Sequence, residues 1–298
     1  MTETTVPQVI YLGGLGRSGT TLLERLLGEL PGVVALGEVV HLWERGVLAA
    51  ELCGCGVVFP ACPFWGRVGK TAFGGWTRRL AERMLTLRHR VDRTRRIARI
   101  DHPDLAEYTR AYRRLYRAAD APVVIDSSKH ASLACCLVAS GLDAHVVHVV
   151  RDPRAVAHSW ARTVHRPEDG RPMTRWSPAR TAVHWSAQNA ALELLPGRGA
   201  RVTRIRYEDL LADPGATLKG LAVRLGLPEP ELGFLEGRTA RLGPSHTASG
   251  NPMRFHVGNV ELRRDDSWRS GLADGDRRVV DALTWPLRAR YGYTGVAA

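Results

Sequence analysis

The sequence predicts an α/β fold: a P-loop-like parallel sheet flanked by helices, with a helical insertion. Short β-branched runs at Val9–Leu12, Val123–Ile125, His145–Val150 and Arg201–Ile205 alternate with stretches of helical period, the pattern of parallel strands joined by crossover helices. The first run ends in the glycine-rich turn Gly13-Gly14-Leu15-Gly16. No internal repeat or low-complexity linker divides the 298 residues, so one domain spanning 1–298 is the simplest organisation.

After the glycine turn, Thr20 to Leu30 sets Leu22, Leu23, Leu26, Leu27 and Leu30 on one helical face, and Pro31-Gly32 stops it. Val33 to Leu36 is a short second strand. Residues 51–75, rich in Gly, Cys and Pro, read as a loop. Leu80, Met84, Leu87 and Val91 predict a helix from Thr77 to about Arg99, and Leu105, Tyr108, Tyr112, Leu115 and Tyr116 a second from about Pro103 to Ala118. Together, 51–118 form the cysteine-containing helical insertion. Further helices are expected at Ala131–Ala139, from Pro153, at Thr181–Leu195, from Pro214 to Leu225, and from about Asp274 to Tyr291. Residues 241–268 lack clear periodicity and read as a long closing loop.

The chain carries 42 Lys+Arg against 30 Asp+Glu, a net charge of +12, which points to an anionic partner: nucleic acid, a membrane surface or a phosphorylated small molecule. A hydrophobic share of 44% excludes global disorder. Lysine occurs only at Lys70, Lys129 and Lys219, and every other basic residue is arginine. The polar start Met1–Gln8 lacks the features of a secretory signal, and no window approaches the ~18 apolar residues of a membrane span. With five sparse cysteines, a cytoplasmic protein without a disulfide framework is expected. Cys53, Cys55 and Cys62 could begin a zinc site or a local disulfide, but no neighbouring His completes a standard spacing. A Gly-rich loop with incidental thiols is the preferred reading.

Three motifs fall at strand ends. Gly13-Gly14-Leu15-Gly16-Arg17-Ser18-Gly19-Thr20-Thr21 joins a strand to a helix, where free N–H groups and a positive dipole end suit a phosphate. Gly14 and Gly19 have Walker-loop spacing, but Thr20 stands where the lysine belongs, and the cation is Arg17 inside the loop. That disfavours nucleotide hydrolysis. Arg151-Asp152-Pro153 through Ser159 forms a second strand-to-helix junction, with arginine suited to bidentate phosphate recognition. Asp126-Ser127-Ser128-Lys129 ends a third strand. In a chain that otherwise uses arginine, a compact ammonium there suits a bridging oxygen or a proton donation.

These residues resemble the PAPS-dependent sulfotransferase family, nearest to the pattern of protein-tyrosine sulfotransferases and related bacterial enzymes. The loop Gly16-Arg17-Ser18-Gly19-Thr20-Thr21-Leu22 is similar to that family's 5′-phosphosulfate loop, and Arg151 to Ser159 to its 3′-phosphate motif. Gly37-Glu38, Lys129, Arg206-Tyr207-Glu208-Asp209-Leu210 and Ser249 to Arg254, ending at Trp268, extend the resemblance over residues 9–268. It implies that 3′-phosphoadenylyl sulfate is the donor, leaving adenosine 3′,5′-bisphosphate, with no metal. Arg17, Ser18, Gly19, Thr20 and Thr21 would hold one end of the donor, and Arg151 and Ser159 the other. Tyr207, Ser249 and Arg254 would add donor contacts. Glu38 would be the general base, favoured over Glu44, with Arg17 and Lys129 stabilising charge.

Thr163 stands where tyrosine-sulfating relatives have an arginine, and the closing loop is of another type. A small-molecule hydroxyl, such as that of a glycolipid or natural product, is therefore expected over a protein tyrosine. His41, Trp43, Phe64, Trp65, Trp160 and Trp176 are candidate aromatic lining, with the insertion and loop 165–180 shaping the acceptor pocket. The alternatives are a P-loop nucleotide or small-molecule kinase, and a non-catalytic anion or nucleic-acid binder suggested by the arginines between Arg78 and Arg117. Those arginines lie on helices with one apolar face, where a solvated surface accounts for them without nucleic acid. Surface association with a membrane has the same support, and oligomeric state is not encoded legibly.

Overall fold

The computed structural model describes residues 7–97, 100–165 and 170–294. Five parallel strands, β1 (Gln8–Gly13), β2 (Val33–Ala35), β3 (Val123–Lys129), β4 (Ala144–Val150) and β5 (Arg201–Arg206), make a sheet in the order β2-β3-β1-β4-β5. The expected α/β class is therefore observed. β1 pairs with β3 on one side and β4 on the other, so the glycine loop leaves the middle of the sheet, flanked by the ends of both neighbours. Ligands of open α/β sheets collect at that edge.

Successive strand residues point to opposite faces, and each face has its own core. Ile10, Leu12, Ile125, Val147 and Val149 pack with the leucines of α1 (Thr20–Leu27) and α9 (Pro214–Leu225). Val9, Tyr11, Val124 and Val146 pack instead with the insertion, whose helices are α2 (Pro63–Phe73), α3 (Arg78–Val91) and α4 (Leu105–Ala118). The remaining α-helices among the described residues are α5 (Ala131–Ala139), α6 (Pro153–Ala161), α7 (Pro178–Glu193), α8 (Tyr207–Ala212), α10 (Trp268–Gly271) and α11 (Asp274–Arg290).

Three expectations fail. Residues 51–75 are not all loop: α2 starts at Pro63, where the fixed φ of proline suits a first helical turn, and buries Phe64, Trp65 and Val68. The helix from Arg78 ends at Val91 rather than near Arg99, because Asp92 leaves helical geometry (ψ 82°) and turns inward to accept a hydrogen bond from Tyr108 Oη at 3.1 Å. Ala98 and Arg99 themselves lie outside the described residues. Residues 241–268 are also not a plain loop. A small antiparallel sheet of β6 (Leu235–Glu236), β7 (Thr239–Leu242) and β8 (Gly258–Glu261) brackets them. Those strands are too short for alternation to register.

Candidate active site

Residues at or just beyond the carboxyl ends of all five strands line one cavity of about 650 Å³, within the ~300–1,000 Å³ typical of small-molecule sites. Across the sheet these are Glu38 after β2, Lys129 at the end of β3, Arg17 in the loop after β1, Arg151 after β4 and Tyr207 after β5. Gly19, Thr20, Thr21 and Ser159 line the same cavity.

The loop after β1 wraps tightly. Gly19 has a left-handed φ of 92° and directly precedes α1; a Cβ there would collide with the Tyr207 ring. Thr20 and Thr21 open α1, so unpaired first-turn N–H groups accompany their hydroxyls. Ser18 differs from expectation. It is buried, its N–H donates to the Leu15 carbonyl at 3.2 Å, and its side chain does not line the cavity.

Arg17 is held from several sides. Its guanidinium lies 5.5 Å from the Trp160 ring centre, and its Nη2 is 3.6 Å from Met173 Sδ. Trp160 donates from Nε1 to the Gly16 carbonyl at 2.8 Å and stacks on Trp176 at 4.0 Å. Burial pulls the Arg17 pKa down while the Glu38 carboxylate opposes this. Arg151 donates from Nη1 to the Arg17 carbonyl at 3.0 Å and sits 4.7 Å over the Tyr207 ring.

Lys129 has a left-handed φ of 71° and Arg17 one of 74°; among the described residues only Ala50 and Asp120 are other non-glycine examples. This geometry costs ~1–3 kcal/mol per residue and persists where surroundings enforce it. Here Gly14 N–H and Gln188 Nε2 both donate to the Lys129 carbonyl, at 3.2 and 2.6 Å. The Lys129 ammonium pairs with Glu38 Oε1.

Burial alone would raise the Glu38 pKa. The Lys129 ammonium, followed by His41 and Arg45, overrides it and holds the carboxyl at about 2. His41 Nε2 lies 3.7 Å from Glu38 Oε2; burial pushes that imidazole down to about 3, so it is neutral near pH 7. The rival Glu44 is exposed and borders a separate hollow with Leu85 and Arg88.

Sequence reasoning missed the group that seats Glu38. Glu24 lies buried in α1, accepting from Gly37 N–H at 2.7 Å and from Ser127 Oγ at 2.8 Å. Burial raises its pKa to about 7. Gly37 has a φ of 82°, and a Cβ there would come within 2.6 Å of Ala248 N. Glu38 N–H donates to the Ser249 carbonyl at 3.3 Å. The available signal was a carboxylate, Glu24, amid the leucines of the first helix.

Two of the proposed donor contacts are placed elsewhere. Arg254 is fully buried and donates to the Thr247 and Leu52 carbonyls at 2.9 and 2.7 Å. Ser249 Oγ accepts from Arg45 Nη1 at 2.7 Å and is also buried. Their neighbours Gly250, Asn251 and Met253 line the cavity instead. Of the aromatic candidates, His41, Trp160 and Trp176 line it, whereas Trp43, Phe64 and Trp65 are core. Met173 and Trp176 represent the loop 165–180 at the cavity, whose residues 166–169 lie outside the described set.

The fold is similar to that of known proteins. Residues 142–231 match the family model described as the Sulfotransferase family. The chain resembles, in fold, the sulfotransferase domain of the Synechococcus PCC 7002 olefin synthase (TM-score 0.53, 21% identity, 94% of each chain covered). It is similarly like the sulfotransferase domain from the curacin biosynthetic pathway (TM-score 0.53, 16% identity, 94% of this chain and 98% of that one). No curated protein matches the chain.

Proposed function

We propose that the protein is a sulfotransferase that moves a sulfuryl group from 3′-phosphoadenylyl sulfate to a hydroxyl of a small molecule. The observation that carries this is the convergence of Arg17, Lys129, Arg151 and Glu38 from separate strand ends on one cavity. A donor with phosphate groups at both ends needs two cationic cradles, and Arg17 and Arg151, which both line the cavity, are the candidates for them. Arg17 with the N–H groups of Gly19, Thr20 and Thr21 suits the phosphosulfate end, and Arg151 with Ser159 the 3′-phosphate. The family resemblance and the matched segment 142–231, which includes Arg151 and Ser159, support that assignment.

The bound donor would supply an activated sulfuryl group. Glu38 removes the proton from the acceptor hydroxyl as its oxygen bonds to sulfur, and the sulfur–phosphate oxygen bond breaks. Arg17 and Lys129 stabilise the negative charge that builds on the departing oxygen, an electrostatic contribution fixed before reaction. In the resting site Lys129 is engaged by Glu38, which keeps the base too acidic. Lys129 turning toward an anionic ligand removes the strongest charge holding Glu38 down and lets its pKa rise toward a useful range. Incubating the enzyme and donor with a metabolite pool tests the reading by mass spectrometry. Products heavier by one sulfuryl group are expected; a pool unchanged under conditions where the donor binds would refute it.

A further inference from the structure

The three clustered thiols lack a fourth ligand in their own stretch of sequence, but the fold brings one from far along the chain. Cys53, Cys55, Cys62 and His246 have ligand atoms all within 4.8 Å of one another. Cys62 Sγ is 3.3 Å and Cys53 Sγ 3.8 Å from His246 Nδ1, and Cys55 Sγ is 3.9 Å from Cys62 Sγ. A tetrahedral zinc with bonds of ~2.3 Å to sulfur and ~2.0 Å to nitrogen needs ligand atoms about 3.5–3.8 Å apart. We propose that Cys53, Cys55, Cys62 and His246 form a structural zinc site that fastens the start of the helical insertion to the C-terminal segment at the active-site cavity.

The surrounding structure is built to hold this geometry. The Cys53–Gly56 turn is closed by Gly56 N–H donating to the Cys53 carbonyl at 2.8 Å, and Cys53 N–H donates to the Val57 carbonyl at 2.8 Å. Cys62 is fixed at the head of α2. The backbone beside His246 is pinned to the thiol loop, with Trp65 Nε1 donating to the His246 carbonyl at 2.7 Å and Gly54 N–H to that of Thr247 at 3.0 Å. A Cβ on Gly54 would lie 2.5 Å from Thr247 Oγ1, so this glycine lets the two segments approach. Phe64 stacks on the His246 ring, 5.1 Å away and 11° from parallel, which fixes the ring's orientation.

The ligand set selects the metal. Three soft thiolates and an imidazole make up the four ligands of a tetrahedral zinc and leave no open position for a substrate, the mark of a structural site. Binding releases the thiol protons to solvent. The consequence reaches the cavity two residues later: Ala248 N–H donates to the Leu36 carbonyl at 2.8 Å, and the Ser249 carbonyl takes the Glu38 N–H. The site thus steadies the segment that seats Glu38, whatever reaction Glu38 serves.

The test uses the full chain, purified under reducing conditions without chelator. Elemental analysis is expected to find zinc equimolar with protein, and cobalt added to the stripped chain should give an intense sulfur-to-cobalt charge-transfer band. Cys55→Ser, chosen because Cys55 is partly exposed, should weaken cobalt affinity by ~100-fold or more, since a lost ligand costs at least what a lost outer partner does. Cys135→Ala, in α5, should leave it unchanged, and zinc removal should lower the thermal midpoint. No charge-transfer band in the reduced wild-type chain would overturn the proposal. So would cobalt affinity indifferent to both Cys55→Ser and His246→Gln, or a Cys55–Cys62 disulfide in freshly isolated protein.

Discussion

The carboxyl edge of the sheet and the segment from Gly243 to Arg263 meet at one cavity, yet they contribute in different ways. The edge contributes side chains: Glu38, Lys129, Arg17, Arg151 and Tyr207. The segment lines the cavity too, with Asn251, Met253 and Val260 to Arg263, but it braces the edge through backbone. Its Ser249 carbonyl takes the Glu38 N–H, its Thr247 carbonyl takes Gly54 N–H and the Arg254 guanidinium, and its Gly243, Arg254 and His256 carbonyls accept from Arg25. The residues proposed to carry the chemistry sit on short, locally encoded turns, held by a frame of distant main chain.

Substitutions at the edge should break chemistry or binding while leaving the fold intact. Glu38→Gln is expected to cut kcat by about 10²–10⁴-fold, the usual worth of a general base, while calorimetric affinity for adenosine 3′,5′-bisphosphate stays close to that of the wild type. Near-normal turnover would reassign the base. Lys129→Met should lower kcat by ~10²–10³-fold, as losing one preorganised donor to a charged transition state does. Because it also frees Glu38 from its ion pair, the pH profile of the residual activity should shift upward. Arg151→Met should weaken bisphosphate binding about 10–100-fold, the equivalent of one charge-assisted hydrogen bond.

Substitutions in the frame should act on stability and more mildly on rate. Gly37→Ala forces a left-handed alanine against Ala248 and is expected to cost ~1–3 kcal/mol in urea unfolding. Glu24→Gln is read by its pH signature rather than by its size. The folded-state pKa of Glu24 is raised, from 4.5 to about 7, so the folded chain binds the extra proton and stability falls as pH climbs from 4.5 through 7. Glutamine carries no such proton, so the variant's stability should gain on the wild type across that window. A constant difference from pH 4 to 8 would show that Glu24 is not buried as described.

The divide between the two regions is also the divide in what the sequence made legible. Strand, glycine turn and helix start are neighbours in the chain, so Gly13 to Thr21, Asp126 to Lys129 and Arg151 to Ser159 announced their places through local spacing. Glu38 could be ranked above Glu44 because it lies nearer a strand end. Contacts between residues roughly two hundred positions apart carried no such signal. Arg254 entered as a donor contact through the resemblance of the closing loop, while the carbonyls that bury it carried no local signal. Ser18 looked like a loop hydroxyl because its side-chain direction depends on left-handed turns at Arg17 and Gly19. Glu24 passed as the polar side of a leucine helix. Cys53, Cys55 and Cys62 sat beside one another, but their fourth neighbour, His246, is contributed by the segment whose folding the pattern did not reveal.

Titration calorimetry with adenosine 3′,5′-bisphosphate in magnesium-free buffer, on the wild-type and Arg151→Met chains, tests the assignment of the cavity most directly. The arrangement of cations predicts metal-independent binding to the wild type and a loss of about 10–100-fold in the variant. No binding without magnesium, together with magnesium-dependent binding of ATP, would contradict it and return the cavity to a kinase-like nucleotide site.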